Sequence, residues 1–220
     1  MTCGTGFLTG ELARRTGGRV VGVDASPGML AVARQQYGGQ CEFVCADAAE
    51  YMRRQATQSA DVITCGWGLG YSRPWTIVRE VARVLRPGGR LGIIDNTLFS
   101  LFGVIWASVL TFAERPEALE HVMRVRFLPA SWWLAGLMRA AGLSVTQRWD
   151  GSKTYLAADG RAAIERLTET GAAAGFEFAA NDAHREAIFA RFAEVLERQY
   201  RNCDDIPITH RYLAAVGRKR

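Results

Sequence analysis

Four short apolar runs, each followed by or leading from a helical pattern, constrain this chain to one class of fold. They are "RVVGVD" (Arg19–Asp24), "CEFVCAD" (Cys41–Asp47), "ADVITC" (Ala60–Cys65) and "GRLGIIDN" (Gly89–Asn96). Each has the near-continuous hydrophobicity of a strand buried on both faces. Before the first lies a helix from Phe7 to Arg15, with Leu8, Leu12 and Ala13 on one side and Gly17-Gly18 to end it. Ser26-Pro27 caps a second helix that runs to Tyr37, Pro occupying its first position. Further helices are predicted near Ala48–Gln55 and over Arg73–Leu85. Strand and helix alternating at this spacing predict an α/β fold: a doubly wound, mostly parallel sheet with helices on both faces. Such sheets take ligands beyond the carboxyl ends of their strands, where the acids and glycines of this chain also cluster.

After Asn96 the pattern changes. Thr97–Ala113, "TLFSLFGVIWASVLTFA", carries no charge over seventeen residues, close to the lower limit for a membrane span. Gly, Ser and Thr interrupt it, which favours a buried or pocket-lining helix; peripheral contact with a membrane surface or a greasy substrate is a further reading. A helix around Ser131–Ala141 leads into "LSVTQRWD", a strand. Residues 160–200 read as helical in two pieces broken near Gly175 and Asn181, and "THRYLAAVGRKR" contains a last edge strand near Tyr212–Val216. One domain over 1–220 is expected. Its ligand-binding half is 1–96, 97–142 and 158–205 are helical insertions over the substrate, and 207–220 is the final strand and tail.

Composition narrows the function. With 49% hydrophobic and 22% charged residues in 220, the chain is an ordinary globular protein. Its net charge of +5 is spread along helices and over Arg218-Lys219-Arg220, without a dense basic stripe interleaved with aromatics, so no nucleic-acid partner is expected. Five cysteines without paired spacing argue against a disulfide framework. They point to a reducing compartment, the cytoplasm, with membrane association kept in view through 97–113. No signal peptide is visible and no metal site is expected, because no histidine clusters with the cysteines.

Three features carry chemistry. In Cys3-Gly4-Thr5-Gly6 two glycines one residue apart let backbone approach a ligand and turn into a helix. The third glycine of a dinucleotide fingerprint is replaced by Thr9, which fits a nicotinamide or flavin poorly. Asp24 closes the next strand eighteen residues after Gly6, the distance at which a carboxylate meets a ribose diol in doubly wound folds; capping the helix at Ser26 is its structural alternative. Asp47 closes the following strand. Alone it would be a helix cap, but with Asp24 it sits where an exocyclic amine of adenine could be read. Pro87-Gly88-Gly89 is a structural turn.

"CGTGFLTGELA", "VVGVDASPGMLAVAR", "CADA", "DVITCGWGLGY" and "EVARVLRPGGRLGIID" stand in the order and spacing of class I S-adenosylmethionine-dependent methyltransferases, and the chain resembles their small-molecule, quinone-biosynthesis branch most closely. The resemblance covers residues 3–96, with the family's final strand matching 211–218. It implies a Rossmann-like sheet of seven strands, the last antiparallel, and S-adenosylmethionine as cofactor. By position, Gly4 and Gly6 would face the methionine part, Asp24 the ribose, and Asp47 with Ala48 the adenine; Cys3, Thr5, Ala25 and Met29 would also bind the cofactor. Cys65, Gly66 and Trp67 would line the edge nearest the methyl group. One departure stands out: the family's buried first strand precedes Cys-Gly-Thr-Gly, and here Met1-Thr2 replaces its end. A shortened version of a longer protein, or a slot filled by another segment or subunit, is the expectation.

Methyl transfer to a hydroxyl or acidic carbon also needs a base. Candidates are His121, His184 and His210, all outside the family motifs, and Tyr71, just past the fourth strand-end element. Phe99, Phe102, Ile105, Trp106, Trp132 and Trp133 suggest a chamber for a hydrophobic small molecule such as a quinone, lipid or polyketide. Two rival readings are a non-catalytic relative that serves as a binding or assembly partner, and a nicotinamide-dependent oxidoreductase disfavoured by Thr9. Oligomeric state is left open.

Overall fold

A computed structural model describes residues 1–169 and 174–220. Contacts group the chain into two compact units: Met1–Leu98 with Val125–Gly151 and Tyr212–Arg220, and Phe99–Arg124 with Ser152–Arg211. The sequence had suggested one domain with helical insertions.

The first unit holds the alternating elements. They are α1 (Phe7–Thr16), β1 (Val21–Asp24), α2 (Pro27–Tyr37), β2 (Glu42–Cys45), α3 (Ala48–Arg54), β3 (Ala60–Gly66), α4 (Pro74–Val84) and β4 (Leu85–Asn96). The expected helices and strands of this half are present to within a few residues. Strand assignment reaches back to Leu85, so the Pro87-Gly88-Gly89 turn lies inside β4 as an irregularity. Its register steps from Ala60–Leu85 to Val62–Arg90, and Gly88 has φ 82°. The burial face of α1 corrects the sequence reading: Thr9 and Gly10 are buried, not Leu8, which is 38% exposed. A glycine wins here because α1 meets α2 closely, and a Cβ on Gly10 would overlap the Tyr37 ring.

The strands form two sheets rather than one. β1 pairs with β2 in parallel, while β3, β4, β6 (Ile206–Lys219) and β5 (Leu143–Ala157) stand in the order β3-β4-β6-β5. β6 runs antiparallel to β4, Arg90 opposite Arg218 through Asn96 opposite Tyr212. The expected antiparallel last strand is therefore present, but it is internal, lying between β4 and β5, and not at an edge. Its apolar run Leu213–Ala215 needs cover on both sides, and an inner position supplies it.

Between β1 and β3 no full strand is found among the described residues. The first three residues span the space instead: the Met1 nitrogen donates to the Thr64 carbonyl at 2.8 Å, and Cys3 N–H to the Val23 carbonyl at 3.0 Å. They join the two sheets at the carboxyl ends of their strands, the ligand edge of this fold. The core below, built on Ile77, Val81, Leu85, Leu91, Leu134, Met138 and Leu143, packs α4 and α6 (Ser131–Ala140) against the four-stranded sheet.

The second unit is mostly helical: α5 (Phe102–Glu114), α7 (Gly160–Glu169), α8 (Ala174–Ala179) and α9 (Arg185–Gln199). Its core gathers Val104, Ala107, Leu167, Ile188, Phe192 and Leu196. The break expected near Gly175 is displaced, since Gly175 lies within α8, and residues 170–173 lie outside the described residues. Most of the uncharged segment lies in α5, thirteen residues long and ending on Glu114. Ala107 and Thr111 are buried on one side, while Phe102, Ile105, Trp106 and Val109 are exposed on the other. Among the described residues no helix is long and apolar enough to cross a membrane.

The contact between α1 and α2 is open to test. Gly10→Val should lower stability by about 1–3 kcal/mol through overpacking against Tyr37, and Tyr37→Ala in the same chain should make the valine nearly neutral. Urea unfolding measures both; a Gly10→Val midpoint equal to that of the unmodified chain would contradict the packing.

Candidate functional site

The loop Cys3–Gly6 sits at the tip of β1. Gly4 N–H donates to Asp24 Oδ2 at 2.8 Å, and Ser26 N–H donates to Oδ1 at 3.0 Å, so one carboxylate ties the loop to the turn that opens α2. Gly4 has φ 52°, in the left-handed region that disfavours side chains, and a Cβ there would meet nothing within 4 Å. Bare backbone therefore faces open space at that point. Gly6, φ 86°, turns the chain into α1 and is closed in by Ala33, Tyr37 and Phe43. The Cys3 thiol is pushed up to about 11, first by burial and then by the Asp24 carboxylate, and stays protonated at neutral pH.

Asp24 thus does the local bracing that a strand-end acid can do, and more of it than its sequence position announces. A carboxylate offers about four acceptor directions, two of which the amides use. The half-buried side chain keeps capacity for further donors. Asp47, exposed at the tip of β2, caps α3 by accepting from Glu50 N–H at 2.9 Å. Ala25, Met29 and Cys45 are exposed along the same edge, as is Thr5. Ala48 turns its methyl into the core, 8% exposed, so only its backbone can serve this edge.

At the tip of β3 the expected trio divides. Cys65 is 2% exposed, covered by the Thr2 hydroxyl at 3.3 Å, and so does not line the edge with its thiol. Gly66 is half-buried. Trp67 projects outward with φ 56°, a conformation costly for a bulky residue and found mainly at functional positions. Its N–H is held by the Ile94 carbonyl at 2.9 Å and its ring meets Tyr212 edge-on at 6.2 Å.

The short turn Leu69–Tyr71 follows. Tyr71 is half exposed, pairs edge-on with Phe127 at 6.0 Å, and has its phenol raised by burial and then by Asp95. A raised phenol holds its proton at neutral pH, which suits a donor better than a base. Asp95 is 2% exposed and accepts from Gly70 N–H at 2.6 Å and Asn96 N–H at 2.8 Å. Burial raises its pKa while these amides and that of Leu69 oppose the shift.

Asp95, Phe127 and Tyr212 escaped the sequence reading. Asp95 carried a signal, for it closes its strand as Asp24 and Asp47 close theirs. The two aromatics carried none, because only strand pairing and the chain's return through Val125–Leu128 bring them here. The candidate bases separate. Tyr71 belongs to the unit that holds the loop and the strand tips. His121, His184 and His210 all belong to the other, where His210 is lowered by burial and stands edge-on to Tyr155 at 6.0 Å.

Known proteins resemble this chain in sequence and in fold. The methyltransferase domain profile matches residues 1–89. A demethylmenaquinone methyltransferase of Bacillus licheniformis is 34% identical over 162 residues, covering 66% of this chain and 69% of the relative. The chain belongs to the class I S-adenosylmethionine-dependent methyltransferases. A 2-phytyl-1,4-naphtoquinone methyltransferase of Thermosynechococcus vestitus is 44% identical over 101 residues, covering 43% of this methyltransferase and 44% of the relative. In fold, it is similar to a crystallised Bacillus halodurans C-125 protein assigned as a methyltransferase, with TM-score 0.65, 19% identity, and coverage of 99% of this chain and 90% of the other. This methyltransferase spans under half the length of the first three curated relatives it matches.

The residues at the β1–β2 edge fit the family's cofactor. Open space over Gly4 lets a ligand approach the backbone closely, and Asp24 retains acceptor directions for a diol.

Thiol reactivity tests this geometry. At pH 8, iodoacetamide should label exposed Cys45 and Cys203 well before Cys3 and Cys65, as read by peptide mass spectrometry. Equal labelling of Cys3 and Cys45 would contradict the half-buried, protonated thiol beside Asp24.

Proposed function

We propose that this methyltransferase moves a methyl group from S-adenosylmethionine to a small hydrophobic acceptor carrying an aromatic ring, of the quinol class. Cys3–Gly6 would meet the methionine end, Asp24 the ribose hydroxyls and the β2 tip with Asp47 the adenine. The methyl group would then face the tip of β3. When bound, the cofactor supplies an electrophilic methyl on a sulfonium. Transfer would form the nucleophile–carbon bond as the sulfur–carbon bond broke, with the nucleophile's proton passing to a base or to water. The protein contributes chiefly by alignment and exclusion of water, effects worth about 7–11 kcal/mol in well-oriented reactions.

One observation carries the acceptor class. At the tips of β3 and β4 the outward side chains are aromatic, Trp67 against Tyr212 and Tyr71 against Phe127, and the carboxylate between them, Asp95, is buried. Such walls suit a flat apolar ring. The quinone-methylating relatives support the same reading. Trp132 and Trp133, stacked at 4.7 Å and half exposed at the start of α6, add apolar surface in the same unit. The exposed residues Phe99, Phe102, Ile105 and Trp106 belong to the other unit. They suit a greasy substrate or peripheral contact with a lipid surface through 97–113.

Incubation with methyl-labelled S-adenosylmethionine and a 2-prenyl-1,4-naphthoquinol should place label on the quinol, detected by extraction and mass spectrometry. Label only on small polar acceptors would overturn the class. Cofactor binding with no transfer to any pooled metabolite would favour the non-catalytic reading.

A further inference from the structure

We infer that Phe127 is a specificity-determining wall of the acceptor site, set against Tyr71 across Gly70, which the buried Asp95 holds in place. The inference deepens the proposed acceptor reading and rests on it.

Every bonding group of Gly70 is committed. Its N–H donates to Asp95 Oδ2 at 2.6 Å, and its carbonyl accepts from Arg126 N–H at 2.7 Å. A Cβ on Gly70 would overlap the Phe127 ring, so the missing side chain is the space the ring uses. The segment carrying Phe127 is tied down again one residue later, where Leu98 N–H donates to the Leu128 carbonyl at 3.0 Å and Thr97 bridges Leu128 in parallel sense. Phe127 is thus laced to the β3 turn on one side and to the exit of β4 on the other. Its ring meets Tyr71 at 6.0 Å with planes inclined by 71°.

Core packing alone does not account for this. Tyr71 is 51% exposed and Phe127 only half-buried, so the pair stays open on the ligand edge instead of closing into the core. Asp95 is also unusual for a packing residue: among the described residues no Lys, Arg or His pairs with its buried carboxylate, which is met by the backbone amides of Gly70, Asn96 and Leu69. Desolvating a carboxylate is costly unless amides compensate it. Here that arrangement fixes the turn presenting Tyr71. Asp95 acts as a positioning residue, and Phe127 sets the room available to a ring beside the β3 tip.

Four variants test the wall with two quinols, a 2-prenyl-1,4-naphthoquinol and a 1,4-benzoquinol. Phe127→Leu, at a half-exposed site, should keep cofactor affinity within twofold by calorimetry and change the kcat/KM ratio between the two quinols at least fivefold. Gly70→Ala should raise naphthoquinol KM tenfold or more. In the double variant Gly70→Ala/Phe127→Ala the alanine at 70 should have no further effect over Phe127→Ala alone. Quenching of tryptophan fluorescence by 1,4-naphthoquinone should follow the same order without turnover. An unchanged quinol ratio in Phe127→Leu, or additive effects in the double variant, overturns the wall alone. An unmodified chain that binds cofactor but neither binds nor methylates naphthoquinol overturns the acceptor class and the wall together.

Discussion

Asp24 is the joint on which the ligand edge depends. Its two oxygens hold Gly4 and Ser26 by their amides, so the glycine loop, the end of β1 and the start of α2 meet at a single carboxylate. Charge-assisted bonds of this kind are shorter and stronger than neutral ones. They also leave the acid oriented at the strand tip with acceptor capacity to spare. A carboxylate that already organises its own loop would be preorganised to receive the ligand diol proposed for it.

The joint in turn depends on how the two sheets are connected. β1 and β2 form one pair and β3, β4, β6 and β5 another group, and at the ligand edge Met1 and Cys3 reach both through one hydrogen bond each. Thr2 between them takes φ 48°, costly for a β-branched residue, and its hydroxyl covers the Cys65 thiol. Three residues thus place the glycine loop between β1 and the tip of β3. That puts Gly4 and Asp24 on one side and Trp67, Tyr71 and Asp95 on the other, within a single compact unit.

Much of this was legible in the residues. The strands ending in Asp24 and Asn96, the second strand to within two residues of its end at Cys45, the caps at Ser26 and Asp47, and the glycine loop all follow from local rules, because strand hydrophobicity, Pro at N1 and Asx or Ser caps are short-range signals. The second role of Asp24 toward Gly4 was hidden, since a twenty-residue bond leaves no spacing pattern. Burial of Cys65 and Ala48 was hidden for the same reason: a strand-end residue and a helix N1 residue can face either way until neighbours are packed. The inner position of β6 was missed because an apolar run of five reads alike at an edge or inside. Gly10 looked incidental, yet its lack of a side chain sets the distance between α1 and α2. Phe127 and Tyr212 arrive from distant sequence, and only tertiary pairing brings them to the β3 tip.

The central claim is that Asp24 grips the cofactor, and calorimetric titration of S-adenosylmethionine into the Asp24→Ala and Asp24→Asn variants tests it most directly. Both should bind roughly a hundredfold more weakly than the unmodified chain, about 2.7 kcal/mol, with alanine at least as weak as asparagine because it also loses the Gly4 brace. Affinities within twofold of the unmodified protein, in chains shown to be folded, would contradict the account.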